Sequence, residues 1–404
     1  MDGAAPRPRV RRGRSMLAPI SVAVALVPVL VAGFAATSTA APNRRHHAPA
    51  PIIAVGQPAP TSMYSATGVS CGDALHCWAV GFGSGTTAAI DATKDGGTAW
   101  SAQLVPVSVS VLAAVSCFDK LNCVAVGSAG AAGAVIATTD GGVIWTLAQD
   151  PAGAAAVTAI DCTSKRDCVA LATDGTTYWS TVTTDGGATW VRDGDLPAGT
   201  TAPDGFACPS AQLCIAAGYS LTGPGAGIGV IASTADGGAT WTAATLPTGV
   251  GILRGLSCAA TTCLAVGTSS TVTTGFVPGS GQLLTSVDGG ATWQLVNAGA
   301  LTHDDAFAAS CPNQKTCVVV GTDWVGTTEP IPTGSIVTTL DAGVQWRSAT
   351  LRYIPIGMDS VSCPAVNRCV AAGGNVLAHL SLPVALAVPK PKVSPGTRAG
   401  SDVR

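Results

Sequence analysis

Residues 115–145 read VSCFDKLNCVAVGSAGAAGAVIATTDGGVIW, and this stretch decides the fold because its parts recur along the chain. Two cysteines with five residues between them are followed by an apolar run, a Gly/Ala loop, a second apolar run, an Asp-Gly-Gly turn and a tryptophan. Measured between the first cysteines, the period is 45–53 residues. A period of this size is typical of repeat architectures, including β-propellers.

All 14 cysteines fall into seven close pairs, six with five intervening residues and one with four. A zinc site usually uses two Cys pairs, each with about two to four residues between the cysteines, or combines Cys with His. This chain has an odd number of Cys pairs and only five His, so zinc sites fit the pattern poorly. We therefore predict seven local disulfides and no metal, and each disulfide stabilises the fold by about 2 kcal/mol. The pairs are Cys71/Cys77, Cys117/Cys123, Cys162/Cys168, Cys208/Cys214, Cys258/Cys263, Cys311/Cys317 and Cys363/Cys369.

Each repeat holds four short apolar segments: before the first Cys, after the second Cys, before the Asp, and from the Trp onward. Turn residues separate them, which predicts four β-strands per repeat, as in a propeller blade. Six repeats end in the Asp turn. The turn aspartates are Asp95, Asp140, Asp185, Asp236, Asp288 and Asp341, and the matching tryptophans are Trp100, Trp145, Trp190, Trp241, Trp293 and Trp346.

The seventh repeat lacks the Asp turn and the Trp, so it supplies only three strands. Each Trp lies 17 or 18 residues before the next Cys, and 17 residues before Cys71 is Ala54, within the apolar segment 51–56. We predict that this N-terminal segment is the fourth strand of the last blade, because closing the ring removes exposed sheet edges. The fold class is therefore an all-β, seven-bladed β-propeller over residues 52–385.

The composition agrees with an all-β chain. Of the 404 residues 47% are hydrophobic but only 11% are charged, and Glu329 is the one glutamate, which argues against long amphipathic helices. The net charge of the chain is −2, but the charges are unevenly distributed along it. Residues 52–385 hold 10 basic and 21 acidic residues, a net charge of −11. A nucleic-acid-binding domain would carry a basic surface, so nucleic acid is not an expected partner.

The N-terminal 41 residues have the pattern of an export segment: basic residues, an apolar run over 16–36, and small residues at 38–41. The run is long, so a signal peptide and an N-terminal membrane anchor both remain open. Residues 42–51 are interpreted as a linker and 386–404 as a disordered tail. Both interpretations of the export segment place the rest of the chain outside the cytoplasm, where disulfides form.

The turn sequences TTDGGATW (183–190), ADGGATW (235–241) and SVDGGATW (286–293) resemble the Asp-box, or BNR, repeat. That repeat is shared by sialidases, sortilin-type receptors, some glucan hydrolases and propellers similar to photosystem II assembly factors. The resemblance covers essentially all of 52–385. It implies the propeller fold, but one propeller scaffold carries many activities.

We expect the six box aspartates to be structural. An Asp at a tight turn accepts backbone N–H groups, the two glycines tolerate positive φ, and the Trp covers the turn. In the families named, the boxes lie away from the active site. The sixth box, Asp341-Ala342-Gly343, departs from the pattern, and we expect it to turn less tightly.

Strand alternation places the Cys turns and the Asp-boxes on one face of the ring. The loops between second and third strands, and the links between blades, lie on the other face. From the second Cys to the box Asp there are 17–18 residues in blades one to three but 22–25 in blades four to six. We expect ligands on the face with the long loops, although insertions without function are the alternative.

Ten residues are candidates for this ligand face. Asp204, Arg254 and Asp359 each lie four residues before the first Cys of their blade. The same position in blades one to three is occupied by Thr67, Ala113 and Thr158. We expect these positions to surround the mouth of the central channel. Arg254 could bind the carboxylate of a ligand or form an ion pair with a neighbouring acidic residue. We expect the ion pair. The loops and links add His303, Asp304, Asp305, Asp323, Trp324, Arg352 and Tyr353. His303, Asp304 and Asp305 have the residue types of a metal site, but we expect a solvated turn.

We predict an exported, non-catalytic binding or scaffold protein whose ligand is a protein or a cell-envelope glycan, with no cofactor. The resemblance also implies a sialidase-like enzyme, but a sialidase needs three clustered Arg and a Tyr–Glu pair. The body has only six Arg, two of them in Cys turns. Any other glycoside hydrolase would need two suitably placed carboxylates. Two of the four residues Asp204, Asp304, Asp305 and Asp359 could supply such a pair. An assembly factor is the further alternative, and the sequence does not define the oligomeric state.

Overall fold

The computed structural model describes residues 53–60, 63–85, 87–223, 226–269, 280–296, 304–325, 331–351 and 357–382. The predicted export segment, the linker and the tail lie outside these residues. The described residues form seven four-stranded antiparallel sheets, which confirms the seven-bladed propeller. Within these ranges no helix has the length and apolarity needed to cross a membrane.

The blades follow one another along the chain. Blade one consists of β2 (Met63–Cys71), β3 (Cys77–Gly83), β4 (Ala88–Thr93) and β5 (Ser101–Gln103); blade two of β6 (Val111–Cys117), β7 (Cys123–Ala129), β8 (Ala132–Thr138) and β9 (Thr146–Leu147); blade three of β10 (Ala156–Cys162), β11 (Cys168–Thr173), β12 (Tyr178–Thr183) and β13 (Val191–Asp195). Blade four consists of β14 (Ala202–Ala207), β15 (Cys214–Gly223), β16 (Ala226–Thr234) and β17 (Thr242–Ala243); blade five of β18 (Leu253–Ala259), β19 (Thr262–Thr268), β20 (Gly281–Ser286) and β21 (Gln294–Val296); blade six of β22 (Asp304–Ser310), β23 (Cys317–Val325), β24 (Ile331–Thr339) and β25 (Arg347–Leu351). Blade seven consists of β26 (Ser360–Ala365), β27 (Arg368–Gly373), β28 (Val376–Ser381) and β1 (Ile53–Pro58).

The N-terminal strand completes the last blade, as predicted. Strand β1 pairs antiparallel with β28 in a register that runs from Ile53 opposite Ser381 to Pro58 opposite Val376. The sheet order is β1-β28-β27-β26, so the first strand of the chain is the outermost strand of blade seven. The two ends of the propeller chain are therefore joined within one sheet.

The first strand of each blade lies innermost, and a disulfide ties its end to the second strand. All seven predicted bonds are present, and the described residues contain no free cysteine. The disulfides therefore hold together the strands that surround the central channel. The bonds are Cys71–Cys77, Cys117–Cys123, Cys162–Cys168, Cys208–Cys214, Cys258–Cys263, Cys311–Cys317 and Cys363–Cys369.

The second strands of blades five and seven start earlier than the sequence pattern predicts. The pattern predicts a strand after the second cysteine, but β19 begins at Thr262 and β27 at Arg368, so Cys263 and Cys369 are the second residues of their strands. In blade five the Cys turn is one residue shorter, and Ala259 pairs with Thr262 beyond the disulfide. In blade seven the corresponding pair is Ala365 with Arg368. Backbone pairing therefore continues past the disulfide in these two blades, whereas in the other five the second cysteine begins the strand.

In blades one to six, the innermost strand carries a β-bulge near its start. In blade two, Leu112 lies opposite Gly127 and Ala114 opposite Val126, so Ala113 is an extra residue. The strands come so close together here that a Cβ on Gly127 would overlap the backbone oxygen of Val111. Six blades have a glycine with such a clash at this position, and blade three has Ala172. The glycines are Gly81, Gly127, Gly218, Gly267, Gly321 and Gly373.

Each Asp turn, which is called an Asp-box below for the repeat that it resembles, is held by a hydroxyl two residues before the Asp. In the third box, the Thr183 hydroxyl donates to Asp185 Oδ1 (2.8 Å) and accepts from the N–H of Gly187 (3.1 Å). Asp185 Oδ1 also accepts from the N–H of Thr189 (3.0 Å). The Thr189 hydroxyl donates to Asp185 Oδ2 (2.6 Å), and this bond, together with the backbone and Thr183 bonds, lowers the pKa of Asp185 to about 2. All six boxes share the hydroxyl bond to Oδ1, with Thr93, Thr138, Thr183, Thr234, Ser286 and Thr339 supplying the hydroxyl.

The expectation of a looser sixth box is wrong. Asp341 accepts from the N–H of Gln345 (2.9 Å), and Gly343 donates to the Thr339 hydroxyl (2.8 Å), as in the other boxes. Ala342 reaches this geometry with a φ of 61°, in the left-handed region that its glycine counterparts occupy. The hydrogen bonds of the turn outweigh the cost of left-handed alanine, which is about 1–2 kcal/mol.

Neighbouring blades are joined by apolar packing and by a belt of hydrogen bonds. The box tryptophan Trp145 of blade two packs with Trp78 and Ile90 of blade one, and its Nε1 donates to Gln103 Oε1 (2.8 Å). Near the channel, the N–H of Cys117 donates to the hydroxyl of Ser70 in the preceding blade (3.0 Å). Five blade pairs make this contact with a serine, and a sixth bond, between blades three and four, has Asp161 as the acceptor.

Replacing Gly127 with Ala should lower the free energy of unfolding by about 1–3 kcal/mol, because the new Cβ overlaps the backbone oxygen of Val111 and the strands must separate. Ala172 in blade three shows that a blade can accommodate such a methyl, which keeps the cost within this range. Chemical denaturation measures it. Gly223→Ala is the matched control, since no atom lies within 4 Å of its Cβ, and equal losses for both variants would contradict the prediction.

Replacing Ala342 with Gly should raise the free energy of unfolding by about 0.5–1 kcal/mol. The substitution removes the left-handed strain of alanine, and the higher entropy of unfolded glycine offsets part of the gain. Thermal or chemical unfolding of the variant tests this. Unchanged or reduced stability would show that Ala342 carries no strain.

Candidate ligand-binding site at the mouth of the central channel

The two faces of the ring differ in construction. In blade two the N–H of Gly141, in the Asp-box, donates to the carbonyl of Leu121, in the Cys turn (3.0 Å). Corresponding bonds join the two turns in the other five blades that have an Asp-box. We call this the disulfide face. The opposite surface, with the loops between second and third strands and the links between blades, is called the loop face.

On the loop face, the bulge residues of blades one to six and Asp359, just before β26, surround the opening of the channel. These seven residues, one from each blade, line a cavity of about 200 Å³. The structure therefore brings Asp204, Arg254 and Asp359 together at the mouth of the channel. The bulge explains the position, because an extra residue in an antiparallel strand re-aims its side chain. The ring consists of Thr67, Ala113, Thr158, Asp204, Arg254, Phe307 and Asp359.

The mouth is polar on one side only. The Thr67 hydroxyl donates to the carbonyl of Leu112 (2.7 Å) and the Thr158 hydroxyl to that of Leu171 (3.4 Å), so these groups are used within the wall. The charged groups all come from blades four, five and seven. Blades one to three contribute neutral residues to the ring.

Both carboxyl groups of the mouth are held in surroundings that favour the protonated form. Burial raises the pKa of Asp204 to about 6, and the positive charge of Arg254 opposes this only in part. Burial likewise raises the pKa of Asp359, against a backbone hydrogen bond from Gly374 and the charge of Arg254. Both side chains remain accessible to water from the channel.

The expected ion pair of Arg254 is not found among the described residues, where ion pairs join His76 to Asp73 and Arg192 to Asp195. Instead the Arg254 guanidinium faces the ring of Phe307, 5.4 Å from its centroid. Phe307 is the bulge residue of blade six, between Arg254 and Asp359 in the ring order. Its offset of four residues from Cys311 was available in the sequence, but an aromatic residue there was not recognised as part of the site.

Two tyrosines stand near Asp204. Burial raises the pKa of Tyr178, and the nearby Asp204 carboxylate raises it further. Tyr178 and Tyr219 are both half-buried. They lie beside the charged side of the mouth, on blades three and four.

The other candidates within the described residues, Asp304, Asp305, Asp323 and Trp324, do not line the channel mouth. Asp304 pairs with Asp323, and Asp305 with Thr322, at the loop-face end of blade six. Trp324 belongs to β23 and pairs with Pro332, but its side chain is not described. His303, Arg352 and Tyr353 lie outside the described residues. Among described residues, no group of three or more His, Cys, Asp or Glu is arranged to hold a metal ion.

Part of the extra length of the loop face is strand. In blade four, β15 and β16 pair from Cys214 opposite Thr234 to Gly223 opposite Ala226, and in blade six β23 and β24 pair out to Val325 opposite Ile331. The segments between these strands, and 270–279 in blade five, are outside the described residues. The insertions in blades four and six therefore raise β-hairpins above the rim of the channel.

Solved structures with the same architecture are similar to this chain at low sequence identity. The structure described as YCF48 bound to D1 peptide matches with a TM-score of 0.59 and 15% identity, over 81% of this chain and 96% of that one. Virginiamycin B lyase from Staphylococcus aureus matches with a TM-score of 0.57 and 11% identity, over 82% of this chain and 100% of that one.

The GH74 xyloglucanase from Xanthomonas campestris matches with a TM-score of 0.57 and 14% identity, over 81% of this chain. The match spans 53% of the xyloglucanase, about half of its length. No protein-family model and no curated protein matches the chain by sequence. At these identities the similarity establishes the propeller fold alone.

Replacing Asp204 with Asn should stabilise the protein above about pH 6 and leave it unchanged near pH 4. The raised pKa means that the folded protein holds the proton more tightly than the unfolded chain, so the contribution of Asp204 to stability is present below pH 4 and is lost as pH rises through about 6. An asparagine does not ionise and avoids this loss. Unfolding temperatures at pH 4 and pH 7.5 measure the difference.

Asp174→Asn is the opposing control. The hydrogen bonds from Thr177 and Thr176 hold the pKa of Asp174 far below its ordinary range, so this variant should lose stability at pH 7.5. A gain for Asp204→Asn of equal size at both pH values would contradict the assignment.

Proposed function

We propose that this chain is an extracytoplasmic binding protein that holds a segment of another protein at the mouth of its central channel. The observation that carries the proposal is a group of three charged side chains in one cavity with no ion pair among described residues. The protein wall around the two carboxyl groups disfavours their charged form, and a ligand cation that reaches them through the channel would stabilise that form. We therefore interpret the charged side chains in the wall of the channel as a site for a charged ligand.

The compartment follows from the sulfur chemistry. Disulfides persist in oxidising environments and are rare in the cytosol, so seven of them indicate an extracytoplasmic location. We propose that residues 1–41 direct export, as a cleaved signal peptide or as a membrane anchor. The binding face would then meet ligands of the cell envelope or the surroundings.

The size of the cavity favours a side chain of a protein over a sugar chain. Small-molecule sites usually enclose about 300–1,000 Å³, and this cavity encloses about 200 Å³. One long side chain inserted from a larger partner fits such a space. YCF48, a propeller of similar fold, has been solved bound to D1 peptide, so the fold can present a surface to a polypeptide. An assembly or maturation factor is one form that such a binding protein takes.

Glycoside hydrolysis is the second candidate, and one observation favours it. Asp204 has a pKa near 6, the range of a general acid, and Asp359 shares its cavity as a second carboxylate. The narrow cavity and Arg254 between the two carboxylates in the ring order weigh against it. We propose the non-catalytic role for this reason.

A photo-crosslinking amino acid at Ala113, in the ring of the mouth, should give a discrete adduct with a protein of the native cell envelope. The adduct should weaken when Asp204→Asn and Asp359→Asn are added, because the ligand loses its charged partners. Val191 on the outermost strand of blade three is 65% exposed and serves as the control position. Adducts are resolved by electrophoresis and identified by mass spectrometry.

Adducts of equal yield at Ala113 and Val191 would contradict binding at the mouth. Hydrolysis of an envelope polysaccharide by the purified protein, abolished by Asp204→Asn, would replace the proposal with the enzymatic alternative.

A further inference from the structure

We propose that the ligand is an extended polypeptide segment in which a lysine or arginine lies close to apolar side chains. The cationic group enters the mouth between Asp359 and Asp204 on the side of blades one to three, away from Arg254, and the apolar side chains cover a neighbouring patch on blade one. This inference rests on the proposed function and specifies the chemical class of the partner.

The charges of the mouth select a cation. Two carboxylates face one guanidinium, and the guanidinium already contacts the Phe307 ring. Neither carboxylate forms an ion pair with a described residue. The body of the chain, residues 52–385, also carries a net charge of −11, which attracts positively charged partners at a distance.

The apolar part of the surface lies on the loop face of blade one. Tyr64 is 76% exposed, Leu104 88% and Val107 100%, and Phe82 joins them at 41%. We call these four residues the blade-one rim. Tyr64 lies three residues before Thr67 on the innermost strand, so it stands about 10 Å above the ring of the mouth. Phe82 comes next to it, because its strand partner is Ser65.

The blade-one rim adjoins the Asp359 side of the mouth. Blade one packs against blade seven, where the Ser360 hydroxyl accepts from the N–H of Val69 (3.0 Å) and Ala66 bridges Gly374. Asp359 directly precedes Ser360. A segment crossing from blade seven to blade one therefore meets a carboxylate first and an exposed apolar surface next. Exposed aromatic and aliphatic side chains on one blade are typical of protein-binding surfaces.

The acid–base chemistry of the mouth gives the binding a pH dependence. The titratable and charged groups in the mouth are Asp204, Asp359 and Arg254, and Tyr178 and Tyr219 lie next to Asp204. Only the carboxyl groups titrate in the acidic range, and the pKa of Asp204 is about 6. A cation needs the ionised form, so its affinity should fall as pH drops through 6. A ligand carboxylate bound to Arg254 would show the opposite trend.

Selection of random 12-residue peptides displayed on phage, against the purified full-length protein at pH 7.5, tests the partner class. We expect enriched peptides to contain a Lys or Arg within a few positions of two or more apolar residues. Enrichment of acidic or uncharged peptides, or no enrichment at all, would overturn the inference. An envelope protein crosslinked from Ala113 through an acidic segment would do the same and would leave the proposed function standing.

Matched variants locate the two halves of the site on a selected peptide, with the dissociation constant measured by fluorescence anisotropy. Tyr64→Ser and Val107→Ser should each weaken binding at least about fivefold, equivalent to about 1 kcal/mol, while Val191→Ser should not change it. Asp204→Asn with Asp359→Asn should weaken binding about tenfold or more and remove its pH dependence. Asp150→Asn, an exposed carboxylate in the link between blades two and three, is the control for charge loss. Equal effects in variants and controls would overturn the proposal.

Discussion

Each blade of this propeller buries its apolar faces only against the two blades beside it, so the ring is stable only when it is complete. The chain meets this constraint by pairing β1 with β28 across its whole length. Inter-blade packing then runs around the ring, from Trp145 against blade one to Trp100 against blade seven. A belt of hydrogen bonds from the first Cys of six blades to the preceding blade follows the same circle close to the channel.

The ring keeps its rigid features on one face and its variation on the other. On the disulfide face, seven disulfides and six Asp-boxes repeat with little change, and the boxes tolerate even Ala342 at positive φ. On the loop face, the residues that ring the mouth, the hairpins of blades four and six and the inter-blade links differ from blade to blade. A rigid frame with one variable surface suits a protein whose function is recognition.

The variation at the mouth is directional. Asp204, Arg254, Phe307 and Asp359 come from four consecutive blades, whereas Thr67, Ala113 and Thr158 on the opposite side are neutral. The exposed Tyr64 of the blade-one rim then lies beside the neutral arc, on the blade that adjoins blade seven. A seven-fold scaffold thus acquires one charged side and one apolar side, which fixes the direction in which a ligand lies across it.

Local repetition determined the fold from the sequence alone. The spacing of Cys, Asp and Trp defined the blades, the disulfides and the closing strand at Ala54, and the offset of four residues before Cys208, Cys258 and Cys363 placed Asp204, Arg254 and Asp359 on one ring. Only the tertiary structure decided what those residues meet. Arg254 lies against Phe307 instead of in an ion pair, and burial raises the pKa of Asp204. Both results depend on contacts between blades, which join residues about 50 positions apart. The directions of the side chains in these contacts are set by the β-bulges, which the residue pattern does not show. The tight turn at Ala342 likewise depended on hydrogen bonds that the residue pattern did not reveal.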